Sequence, residues 1–217
     1  AEGILSLKPT LIIDDNNIGP PQVVQQITSL HIPMKTFTAK NDTIDGTKAL
    51  IREMGAFFHK ETQAEALCAR LDTQMAQALD EVKAYKDHPR VGVIHFGRAS
   101  NVYMLVGAGG KGDGGAAGQM IEWAGGRPAI DKPGMTRMAS PEIVAEANPD
   151  VVLMTDFGYD RLNGAMDQIL ALPGVATSDA AKHHRIYRVE EHQLMYFGPD
   201  TGRNIEQLAK LIHQSGP

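Results

Sequence analysis

Apolar positions along the chain switch between two periods. The opening Ala1-Glu2-Gly3-Ile4-Leu5-Ser6-Leu7 reads as a helix already under way, so further chain upstream is expected. Lys8-Pro9 stops that helix. Thr10-Leu11-Ile12-Ile13 follows as an apolar run closed by Asp14-Asp15-Asn16-Asn17, which predicts a buried strand with a polar loop at its carboxyl end. Pro20-Pro21 suits the first turn of a helix, where no N–H bond is lost, and Val23, Val24, Ile27 and Leu30 then recur at helical spacing. Residues 34–37 predict a second short strand. Helix, strand, helix, strand in this order is the signature of a parallel sheet covered by helices.

The pattern then changes. Ile44, Leu50, Ile51, Met54, Phe57 and Phe58 mark one helix, and Ala64, Leu67, Leu71, Met75, Ala78, Leu79 and Val82 a longer one, with a break over residues 55–61. The long helix is expected to end near Asp87-His88-Pro89, since proline disfavours helix at the residue before it. From Val91 the alternation of strands and helices returns. Strands are predicted over 91–96, 102–106, 151–155 and 185–189, and helices over 115–124, 140–147, 166–170 and 201–213. The fold class is α/β, with units at 1–42 (remnant of an N-terminal lobe), 43–88 (linking helices) and 89–217 (a complete C-terminal lobe). Residues 2–13 and 142–153 share a Glu, an apolar pair, a proline seven residues after the Glu and a β-run behind it. Either any αβ unit with proline in its loop looks like this, or two related Rossmann-like lobes flank a long backbone helix and the first is incomplete.

Composition narrows the function. With 21 Lys+Arg against 26 Asp+Glu, a net charge of −5, the chain lacks the positive field that carries non-specific nucleic-acid binding. The lone Cys68 excludes an intramolecular disulfide and any CxxC metal site. No stretch approaches the roughly 18 consecutive apolar residues of a membrane span. Gly-x-Ser-x-Gly and His-Glu-x-x-His are both absent, so no catalytic motif stands out.

Five segments carry a resemblance: Ala1-Glu-Gly-Ile-Leu-Ser-Leu-Lys-Pro-Thr, Ala116-Ala-Gly-Gln-Met-Ile-Glu-Trp-Ala-Gly-Gly, Ser140-Pro-Glu-Ile-Val-Ala-Glu-Ala-Asn-Pro-Asp-Val-Val-Leu, Leu170-Ala-Leu-Pro-Gly-Val and Phe197-Gly-Pro-Asp-Thr. In this order the chain resembles substrate-binding proteins of the helical-backbone class that serve bacterial ABC importers of metal chelates. Within that class it resembles the periplasmic haem-binding proteins most. The resemblance implies two lobes gripping a ligand in a shallow cleft, a periplasmic location, haem as transported ligand with no catalytic cofactor, and an ABC permease as partner. It also implies an iron-ligating tyrosine just upstream of Ala1, to which no position here corresponds. Some members add a histidine in the turn after the second lobe's first strand, and Gly97-Arg98-Ala99-Ser100-Asn101 holds none.

In open α/β sheets ligands collect beyond the carboxyl ends of the strands, which selects residues 98–101, 156–160 and 190–201. Ferric haem asks for an oxygen or nitrogen ligand, apolar walls and cations for two propionates. Tyr159, Tyr196 and His192 fit the first need, with the two tyrosines as the candidate iron ligands. Met195 and Phe197 fit the second, Arg98 and Arg137 the third. Each has a plainer reading: Tyr196 as core beside the Phe-Gly-Pro motif, Tyr159 as an exposed loop residue, and His95 within its strand as a core or face histidine. Glu190, Glu191 and Asp200 are rim acids suited to docking on the permease. The alternatives are a ferric-siderophore or corrinoid binder of the same architecture, a nucleotide-binding α/β enzyme using the glycine-rich run 107–118 with Asp131, and a chain that completes its sheet as a homo-oligomer.

Overall fold

The structure, a computed structural model, describes residues 2–15, 18–96, 102–105, 115–130, 135–137, 141–172 and 174–214. Short helix α1 (Glu2–Ser6) leads to strand β1 (Ile12–Asp14), helix α2 (Pro21–Ser29) and strand β2 (Met34–Thr36). β1 and β2 pair in parallel, Ile12 opposite Met34, forming a two-stranded sheet crossed by α2, whose Ile27 is fully buried.

Helices α3 (Ile44–Phe57) and α4 (Glu61–Val82) link this unit to the rest. The Thr43 hydroxyl caps α3 by accepting from the Gly46 N–H at 3.0 Å. The break between them is shorter than the sequence pattern suggests: only Phe58, His59 and Lys60 separate the helices, with His59 at φ +55° and the Lys60 N–H donating back to the Gly55 carbonyl at 2.7 Å. α4 also stops sooner than Pro89 alone would dictate. The chain leaves it at Val82 so that the Tyr85 ring stacks on His213, centroids 4.0 Å apart and planes 9° from parallel.

The larger sheet runs β6 (Met135–Arg137), β4 (Val102–Leu105), β3 (Arg90–Phe96), β7 (Val151–Thr155), β8 (Ile186–Val189), with β5 (Arg127–Pro128) also on β3. β5, β7 and β8 follow β3 in parallel, whereas β4 runs against β3 and β6 against β4. The short link from Phe96 to Val102 enforces the reversal, because a parallel crossover needs a dozen or more residues.

Alternation along β3 and β7 sorts side chains between two cores. Val91, Val93, Val151 and Leu153 pack with Leu71, Met75 and Ala78 of α4, with α5 (Gly115–Trp123), and with Ile205, Leu208 and Ile212 of α11 (Thr201–His213). Ile94, Val152, Met154 and Ile186 face the opposite way, onto Val144 of α6 (Pro141–Ala147), Ile169 of α8 (Met166–Leu170) and Ala180 of α9 (Asp179–Lys182). Helices therefore cover both faces of a mostly parallel sheet. α11 approaches α4 so closely that a Cβ on Gly202 would lie 2.5 Å from the Gln74 carbonyl carbon.

Candidate functional site

The two short helices α7 (Asp156–Arg161) and α10 (Glu191–Met195) begin where β7 and β8 end. The sequence pattern reads both stretches as loops, since neither is long enough to display helical periodicity. Each carries an acidic residue in its first turn, where the helix dipole favours it. Asp156 also ties the two together: its Oδ1 accepts the Glu191 N–H at 2.8 Å.

Strand register lines up one row across this end of the sheet. Arg137 stands opposite Tyr103, Tyr103 opposite His95, and Thr155 opposite Val189. One step beyond the Ile94–Met154 pair, His95 and Thr155 meet through His95 Nδ1 and Thr155 Oγ1 at 3.0 Å. His95 shares the alternation of Val91 and Val93, so it stands at the open rim of the core that holds α10 and α11. Its Nε2 lies 3.9 Å from Glu191 Oε1.

Glu191 has a second neighbour in Tyr196, at the end of α10. Burial raises the Tyr196 hydroxyl above its ordinary range, and the charge and hydrogen bond of Glu191 add to the shift. The ring is nonetheless 53% exposed. The chain beyond it is fixed. Phe197 is buried, its ring 5.3 Å from that of Trp123, and its carbonyl accepts from Asn41 Nδ2 at 2.9 Å. The Gly198 N–H donates to Thr201 Oγ1, and the Thr201 hydroxyl donates to the Gly198 carbonyl, both at 2.8 Å.

On the flank, Arg188 grips Asp160 with Nε and Nη2, each at 3.0 Å, and reaches Glu190 with Nη1. These bonds hold the Asp160 carboxyl below its usual range and the guanidinium above its own. Two carboxylates thus already engage Arg188. Among the described residues, no group of three or more His, Cys, Asp or Glu side chains is placed to hold a metal ion. No helix among them is long and apolar enough to cross a membrane.

The family model described as "Periplasmic binding protein" matches residues 1–192. The chain belongs to the periplasmic binding protein family. Its α/β architecture is that of solved members. The periplasmic heme-binding protein RhuT from Roseiflexus sp. RS-1, in apo form, is 29% identical with a TM-score of 0.82, over 98% of this chain and 78% of that one. The periplasmic heme-binding protein BhuT in complex with two hemes is 26% identical with a TM-score of 0.78, over 97% and 77%. The heme binding protein HmuT is 25% identical with a TM-score of 0.79, over 97% and 67%. No curated protein sequence matches significantly. The family and these neighbours are binding proteins rather than enzymes.

Within this periplasmic binding protein, the candidates read from the sequence fall in different places. Tyr196 joins His95 and Glu191 at the strand ends. His192 is exposed on α10, and Met195 packs partly against the adjoining core. Tyr159 stands apart: its ring packs on the opposite face of the sheet, in the core of Ile94 and Met154, with Gly164 closing over it. Phe197, expected to offer an apolar wall to ligand, is spent inside the protein against Trp123. Arg137 ends β6 in the His95 row. Arg98, Asp131 and residues 107–114 of the glycine-rich run lie outside the described residues, and residues 115–118 open α5. Sequence reasoning missed the clustering of His95, Thr155 and Glu191. The available signal was that His95 and Thr155 sit at or next to the last residue of two predicted parallel strands, in phase with the core positions.

Proposed function

We propose that this chain captures haem between its lobes in the periplasm and delivers it to the permease of an ABC importer. The observation that carries the reading is the similarity to RhuT and BhuT, which extends over nearly the whole chain at 29% and 26% identity. In this reading residues 1–42 and 89–217 form the two walls and residues 43–88 the backbone between them. Tyr196 is the second wall's contact: an exposed phenol on a fixed segment, able to offer its oxygen to ferric iron. Arg98 and Arg137 are the cations proposed for the propionates, and Glu190, Glu191 and Asp200 the acids that meet the permease. The task is binding and release, without catalysis.

Thermal melting against a ligand panel tests this, because only a ligand that prefers the folded state raises Tm. Haem should raise Tm, while NAD and ATP should leave it unchanged. A rise with a ferric siderophore or a corrinoid and none with haem would overturn the haem assignment within the same architecture.

A further inference from the structure

Among the described residues, Asn41 lies between β2 and α3, yet its side chain bonds to the backbone of a residue 156 positions away. The acceptor is the Phe197 carbonyl. Phe197 is 4% exposed and falls in the gap between α10 and α11, where neither helix can serve its carbonyl. A backbone acceptor in such a place needs a partner, and Asn41 Nδ2 supplies one at 2.9 Å. Thr201 closes the backbone groups of Gly198 locally, and the Phe197 ring is wedged against Trp123. What remains exposed on this fixed frame is Tyr196, the neighbour of the peptide that Asn41 holds. Ligand-facing side chains act well only when their supports place them to within about 0.5 Å.

We infer that Asn41 is a positioning residue: through the Phe197 carbonyl it sets where Tyr196 stands relative to the N-terminal unit, so that ligand capture by Tyr196 depends on a bond made from residues 1–42. This rests on the reading of Tyr196 as the haem contact. Asn41 itself touches no ligand. A shift of the N-terminal unit is passed along one hydrogen bond to the peptide next to the phenol.

The test combines haem titrations with a readout that needs no haem. Asn41→Ala removes the donor, and Asn41→Asp keeps the shape while turning the donor into an acceptor. Each is expected to weaken haem binding about tenfold, the cost of leaving a buried carbonyl unpaired. In a Tyr196→Ala background Asn41→Ala should cost nothing further, the non-additivity of two residues acting as one unit. In the ligand-free protein, a fluorotyrosine at position 196 should shift or broaden its ¹⁹F line in both Asn41 variants, while Trp123 fluorescence stays unchanged. Additive losses, or an unmoved ¹⁹F line, would overturn the inference. If the unsubstituted chain shows no saturable haem binding, the haem reading falls instead, and the ¹⁹F line still decides whether Asn41 places Tyr196.

Discussion

Tyr196 shows how much a single side chain owes to its neighbours. Its hydroxyl titrates above the ordinary range chiefly because of burial, with Glu191 adding to the shift. Glu191→Gln should therefore bring its titration down toward the normal value of about 10 without reaching it, measured as tyrosinate absorbance against a Tyr196→Phe control. A titration unchanged by Glu191→Gln would remove the link between the two residues. Tyr159 is the opposite case. Gly164 sits at φ +63°, and a Cβ there would come within 2.9 Å of the Tyr159 ring. Gly164→Ala should cost about 1–2 kcal/mol in urea unfolding, from the left-handed backbone and the clash together. The sequence pattern points the other way for both: Tyr196, in the apolar run before Phe-Gly-Pro, reads as core and Tyr159, in a polar loop, as exposed, whereas Tyr196 is the exposed one and Tyr159 the packed one. Which one packs and which one faces outward depends on the sheet face each helix returns to, and residue pattern does not encode that over five or six residues.

Long elements were legible because their periodicity is long. β7 and α11 fall where apolar spacing puts them, and the end of α3 and start of α4 are displaced by three residues or fewer. The short elements α7, α9 and α10 were not legible, since tertiary contacts such as the Asp156–Glu191 bond hold them and no repeat announces them. Two contacts between elements can be tested directly. At the start of β3, Arg90 donates from its N–H, Nε and Nη2 to the Asp150 carboxylate, at 2.7, 3.2 and 3.0 Å. Burial alone would raise that carboxyl, but the Arg90 bonds outweigh it and hold it below the usual value. A carboxyl lowered on folding contributes stability that is full above its unfolded pKa of about 3.9 and fades as pH falls through the folded value. Asp150→Asn should lower stability at pH 6, and the gap in urea unfolding between variant and parent should narrow as pH falls below about 4. At the α4–α11 crossing, Gly202→Ala pushes a methyl group into the Gln74 backbone. Such overpacking should cost about 2–3 kcal/mol, seen as a lower urea midpoint at constant slope.

At the scale of the molecule, α4 is built into the second lobe as much as it links the two. Leu71, Met75 and Ala78 belong to that lobe's core, Arg70 pairs with Asp200 at 3.4 Å, and Asp87 just beyond the helix bonds His213 at 2.9 Å. The N-terminal unit meets the same lobe through Asn41, and Ile44, the first residue of α3, packs against that core. On the proposed reading, these contacts are expected to restrict movement between the two walls around a large, flat ligand. The central claim is that this chain binds haem and that Tyr196 is its contact on the second wall. A haem titration of the 217-residue chain, followed by visible absorption, tests it most directly. The account predicts a saturable Soret shift whose midpoint moves at least about tenfold in Tyr196→Phe, with the holo spectrum altered as an oxygen ligand is lost. A titration with no saturation, or one that Tyr196→Phe leaves unchanged in both midpoint and spectrum, would contradict it.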